Sequence, residues 1–93
     1  MRIIGYLDRP GLIVTVFKND NKIFVKFEKS MLEQTYKIYE DLSINNLYDI
    51  DRLFDSEWMK EIEKTFDEIS KARDQALIRF QSQLTETQEE EII

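Results

Sequence analysis

The sequence predicts an α+β protein in which an antiparallel β-meander of three to four strands is packed by a short helix and a long C-terminal helix. Two observations support this fold class. Apolar and polar residues alternate through residues 1–40, as in half-buried strands, and the apolar spacing becomes helical from Asn45 onward. A chain of 93 residues has room for one domain with one thin core.

Three strands are predicted, at residues 2–8, 12–18 and 22–28. Pro10 and Gly11 indicate a turn after the first strand, because proline presets φ and glycine accepts the positive φ that follows. The segment Asn19-Asp20-Asn21 tolerates left-handed geometry and predicts a hairpin between the second and third strands. Gly5, inside the first strand, indicates a bulge or a close approach to the backbone.

Residues 30–41 allow two interpretations. Ser30 and Glu33 could form a capping box that opens a helix. Alternatively, residues 33–40 form a fourth strand, since they are rich in threonine, tyrosine and isoleucine. A fourth strand would make the sheet wide enough to support helices, so the strand is preferred and the helix stays open as the alternative.

Two helices are predicted in the remaining chain. Asn45 or Asn46 can cap a short helix that ends near Phe54, and Ser56 is the expected N-cap of the long helix. Apolar residues of the long helix recur at spacings of three and four. The positions with this spacing are Met59, Ile62, Phe66, Ile69, Arg73, Ala76 and Phe80, with Trp58 and Leu77 alongside, and Arg73 is the one charged residue among them.

The long helix exceeds the size of its domain. Residues 57–82 span ~39 Å, whereas a compact domain of this length is roughly 32 Å across, so the helix should overhang its sheet. Either the helix is shorter or bent and its apolar face is ordinary core, or the far end packs against the same helix of a second subunit. The second interpretation predicts a homodimer, with candidate contacts Arg73, Ala76, Leu77 and Phe80.

Residues 82–93 are expected to fray into an acidic, disordered tail, which leaves residues 1–81 as the predicted single domain.

A second candidate surface follows from strand alternation. If Val14 and Val16 face the helices, the residues between them point outward. The outward set forms a candidate partner surface of Ile13, Phe17, Phe24 and Tyr39. A register shift of one residue would reverse the two faces.

Composition excludes several function classes. The chain has no cysteine and no histidine, which removes thiolate chemistry, zinc–thiolate sites and the commonest general base. No signal peptide and no apolar run of about 18 residues is present, so a cytoplasmic protein without a membrane span is expected. The net charge of −6 divides into +2 over residues 1–40 and −8 over residues 41–93, and the acidic half argues against nucleic-acid binding.

An acidic cluster invites a divalent-cation interpretation, since hard cations prefer oxygen ligands. Its members are Asp49, Asp51, Asp55 and Glu57. A calcium loop beginning at Asp41 is incomplete, because its glycine position holds Asn46 and its twelfth position holds Arg52. A solvated acidic face is favoured instead, and no metal, cofactor or catalytic site is predicted.

These features favour a small acidic, non-catalytic protein–protein interaction module that forms a homodimer and binds an unidentified protein partner, as an adaptor, inhibitor or chaperone-like protein does. The alternative is a small-molecule-binding or enzymatic domain with a site between sheet and helices. Its candidate residues are Tyr36, Tyr39, Tyr48 and Trp58. A structural subunit of a larger assembly is the third possibility, and fold alone does not choose among them.

Overall fold

A computed structural model describes the backbone of residues 1–92 and the side chains of residues 1–84. It confirms the α+β class: a four-stranded antiparallel meander in the order β1-β2-β3-β4 is followed by two helices. The strands are β1 (Arg2–Leu7), β2 (Ile13–Asn19), β3 (Lys22–Lys29) and β4 (Leu32–Tyr39), and the helices are α1 (Leu47–Leu53) and α2 (Ser56–Ile92).

The fourth strand decides the ambiguity at residues 30–41, and the helical alternative is wrong. Strand β4 pairs along its whole length with β3, with Tyr36 opposite Val25. Ser30 and Met31 have φ values of 49° and 66°, the left-handed geometry of a two-residue hairpin turn. Methionine rarely adopts this conformation, because its Cβ crowds the following carbonyl, so the turn carries backbone strain.

The other two turns form as their residues predict. The amide of Leu12 donates to the carbonyl of Arg9 over 3.1 Å, with Pro10 and Gly11 between them and Gly11 at a φ of 77°. In the second turn, Asp20 takes a left-handed φ of 55°. The residues of these two turns thus have the backbone geometry that joins β1 to β2 and β2 to β3.

One face of the sheet packs against the helices and forms the core. The buried apolar side chains are Leu7, Val14, Val16, Ile23, Val25, Phe27, Ile50, Phe54, Ile62 and Phe66. Alternation along β2 and β3 accounts for the strand contribution, since every second residue points to the helix side. Ile62 and Phe66 lie in the first half of α2, so this half of the helix covers the core.

Aromatic rings fill the centre of that core. Phe54 stacks on Trp58 with ring centroids 4.1 Å apart, and Phe27 lies 5.0 Å from Phe54. Tyr36 meets Trp58 edge-on at 5.0 Å. Such pairs add about 0.5–1.5 kcal/mol each beyond the area they bury, so this cluster fixes how α2 enters the fold.

A polar bridge locks α2 onto β4. The hydroxyl of Tyr36 donates to the side-chain oxygen of Gln34 over 2.6 Å, and the Gln34 amide donates to the carbonyl of Ile62 over 2.9 Å. Because these groups are partly buried, an unmade bond would leave a desolvated polar atom. The bridge therefore holds the helix at one height over the strand.

Helix capping agrees with the sequence for α1 and differs for α2. The side chain of Asn46 accepts from the amide of Asp49, as an N-cap does. The expected cap at Ser56 is wrong, because Asp55 Oδ1 accepts from the amide of Trp58 over 2.9 Å. Asp55 is as good an N-cap as serine, and Ser56 is already the first helical residue of α2, which places Asp55 at the N-cap position.

Helix α2 extends well beyond the sheet. It contains 37 residues, and the Cα radius of gyration of 19.0 Å compares with about 12 Å for a compact chain of this length. The overhang that the sequence predicts is therefore present. The backbone stays helical through Ile92, across the segment 82–93 that is expected to fray; the side chains of 85–93 and the backbone of residue 93 lie outside the described residues.

Gly5 has both of the roles that the sequence allows. The register of β1 on β2 shifts between Ile3 and Gly5, which is a bulge. A Cβ built on Gly5 would collide with the side chain of Leu47, the first residue of α1. The missing side chain therefore lets α1 lie directly on β1.

We expect Gly5→Ala to lower the free energy of unfolding by about 1–3 kcal/mol, because the added methyl overpacks this contact. Urea denaturation measures the loss. Leu47→Ala removes the colliding methyl groups, so the double variant should lose clearly less stability than the two single variants together. Simple additivity in this cycle would contradict the assigned contact.

Candidate interaction surfaces

The apolar face of α2 continues past the core into solvent. At about 100° per residue, Leu77, Phe80 and Leu84 lie within about 60° of Ile62 and Phe66 around the helix axis. These three residues form the distal stripe, and their exposed fractions are 51 %, 57 % and 46 %. Single exposed apolar residues are ordinary on protein surfaces, whereas an aligned apolar row of this kind is a candidate interaction surface.

Arg73 marks the point where α2 leaves the body. Its Nη1 donates to the carbonyl of Ser30 in the β3–β4 turn over 3.2 Å, and its Nε donates to Asp74 over 3.1 Å. The candidate dimer contacts therefore fall into two groups. Arg73 belongs partly to the body, while Ala76, Leu77 and Phe80 are exposed beyond it.

Charge is distributed unevenly along the overhang. Residues 71–79 carry Lys71, Arg73 and Arg79 against Asp74, a net charge of +2. Residues 86–91 carry four glutamates and no cation, a net charge of −4. The overhang beyond Arg73 is thus neutral over residues 74–85, where the distal stripe lies, and acidic at its far end, while Lys71 and Arg73 lie just before it.

The sheet face turned away from the helices, called the outer face, has a paired aromatic centre. Phe17 lies directly opposite Phe24 in the β2–β3 register. The ammonium of Lys26 lies 5.4 Å from the Phe17 ring centre, and that of Lys37 lies 5.7 Å from the Phe24 ring centre. Lysines that cover aromatic faces are attracted by the ring quadrupole, so this centre is both apolar and cationic.

The four residues of the candidate partner surface share the outer face but not one patch. Tyr39 lies opposite Lys22, which places it diagonally next to Phe24 and within reach of a long side chain. Ile13 lies four residues along β2 from Phe17, roughly 13 Å away. It lines a separate hollow beside the β3–β4 turn instead.

The aromatic residues of the alternative ligand site are not brought together. Tyr36 and Trp58 touch inside the core, while Tyr39 and Tyr48 are each 68 % exposed and lie on the outer face and on α1. Arg52 lies over the ring of Tyr48 at 5.5 Å. The rings of Phe27 and Phe54 occupy the space between sheet and helices where that site would open.

Three members of the acidic cluster have separate structural roles. Asp49 accepts from the backbone amide of Asn45, Asp51 pairs with Arg9 at 2.8 Å, and Asp55 caps α2. Among the side chains that the structure describes, no three acidic, histidine or cysteine groups converge as a metal site would require.

Arg9 is an important residue that sequence reasoning missed. Its guanidinium donates to Asp51 Oδ1 and to the backbone carbonyls of Asp8, Asp51 and Phe54 over 2.8–3.0 Å. The planar fork satisfies carbonyls that the end of α1 leaves without helical partners. It thereby ties the β1–β2 turn to the α1–α2 junction. The three contacts to Asp51 and Phe54 join segments more than forty residues apart, which no local sequence pattern signals.

No protein family, curated protein or solved structure matches the chain in comparisons with known proteins. Within residues 1–92, no helix combines the length and the apolar character needed to cross a membrane.

Proposed function

We propose that this protein is a small acidic, non-catalytic protein–protein interaction module that forms a homodimer through the distal stripe of α2. The observation that carries the proposal is the continuity of one apolar helix face, which is buried at Ile62 and Phe66 and exposed at Leu77, Phe80 and Leu84. Helices with such a face are stabilised by covering it.

A second copy of this chain is the occupant that the overhang fits. Its far end is acidic, so two overhangs complement each other when their ends are exchanged, because each acidic end then lies beside Arg79 and approaches Lys71 and Arg73 of the other chain. An overhang packed on nothing would also be marginal as a helix, because helical stability in proteins comes mostly from tertiary packing. A second copy supplies the same apolar row and brings its cations near the acidic end.

Phe80→Asp should convert the dimer to monomer. Replacing a buried ring by a carboxylate on both helices removes apolar burial and places two like charges in the interface, so the dimer dissociation constant should rise at least about 100-fold. Light scattering across a concentration series measures the mass.

The matched control for this test is Ile78→Asp. Ile78 is 63 % exposed and about 100° around the helix from Leu77, so it carries the same charge change outside the stripe. This variant should stay dimeric. A wild-type chain that remains monomeric at every concentration, or two variants with equal effects, contradicts the proposal.

The outer face is proposed as the surface for a further protein partner. The Phe17–Phe24 pair with its two lysines, and Tyr39 beside it, form an apolar and cationic patch that suits an acidic protein segment with aromatic or aliphatic side chains. A dimer would present this patch twice, which raises the avidity for a partner that is itself repeated.

Tyr39→Asp should abolish capture of such a partner, while Tyr48→Asp should not, because both tyrosines are 68 % exposed and only Tyr39 lies on the outer face. Quantitative pull-down from native lysate compares the two variants with the wild type, and thermal unfolding checks that both remain folded. A single outcome overturns this surface: no protein is captured by both the wild type and Tyr48→Asp but lost with Tyr39→Asp.

A further inference from the structure

We infer that the second copy lies antiparallel to the first, so that the dimer is an elongated rod with one sheet at each end. This inference rests on the proposed homodimer and adds its orientation. Two independent features of the structure lead to it: the position of the sheet relative to the distal stripe, and the charge order along the overhang.

The sheet leaves no room for a parallel partner. The distal stripe lies on the same side of α2 as Ile62 and Phe66, which pack on the sheet, and Arg73 still reaches the β3–β4 turn from that side. A partner helix on the stripe would lie 8–10 Å from the α2 axis. If it ran parallel to α2, its own first half would pass through the space that β3 and β4 occupy.

An antiparallel partner reaches the distal stripe from the C-terminal end of α2, where there is no sheet. Its C-terminal end approaches the β3–β4 turn, and its own sheet lies beyond the C-terminus of the first helix. Met31 is 99 % exposed at this turn, so its side chain is accessible to the approaching helix. The overlap runs from residue 74 to residue 92, about 28 Å of helix.

Charge order favours the same orientation. In an antiparallel pair with this overlap, the acidic segment 86–91 of each chain lies alongside residues 75–80 of the other, which contain Arg79 and no acidic residue. In a parallel pair, the four glutamates of each chain would lie beside the four of the other, and like charges at such distances repel. The orientation that sterics allow is therefore also the one that electrostatics stabilises.

Small-angle X-ray scattering on the full chain distinguishes the orientations without any substitution. One chain is 68 Å long. Two chains that overlap over the overhang should reach a maximum dimension of about 110 Å, whereas a parallel pair should stay near 70 Å. The expected result is about 110 Å at twice the chain mass of 11.2 kDa.

A spin label at Ile78→Cys locates the contact, and the chain contains no other cysteine. Paired overhangs should give an inter-label distance below about 40 Å, because the helices lie 8–10 Å apart. Dimer mass with a short label distance and a length near 70 Å overturns the antiparallel orientation and leaves the homodimer standing. Monomer mass, or a dimer with a long label distance, overturns the helix-mediated homodimer and the orientation together.

Discussion

The apolar face of α2 is the constraint on which the rest of the structure depends. A four-stranded meander has one face that must be covered, and Ile62 and Phe66 of α2 cover it together with Phe54 at the α1–α2 junction. The Gln34 bridge and the Phe54–Trp58 stack then fix the height and the entry of the helix. The same apolar face continues along α2 beyond the sheet, and its exposed residues there form the distal stripe.

Much of this fold is predictable because its signals are local. The turns at Pro10–Gly11 and Asp20 follow from backbone preferences of single residues, and alternation places Val14 and Val16 in the core. Local signals do not decide the structure where a strand and a helix have similar propensity, as at residues 30–41. Ser30 suits a turn or a helix cap, and only pairing of β4 along β3 decides between them.

The candidate surfaces were predictable as faces and not as patches. Helical spacing identifies the stripe that contains Leu77 and Phe80, and strand alternation puts Ile13 and Phe24 on one side of the sheet. Whether residues on one face form a single patch depends on strand register and on what covers each residue. The sequence around each residue does not encode either of these. The same limit applies to Arg9, whose partners lie on other elements.

Hydrogen exchange at two protein concentrations tests the central claim most directly, namely that the far half of α2 is held by a second copy. An overhang without tertiary contacts opens easily, because a helix of this length is marginal alone. Amides of residues 74–84 should therefore lose protection on dilution below the dissociation constant, while those of β2 and β3 keep it. Protection of residues 74–84 that is independent of concentration would contradict the account.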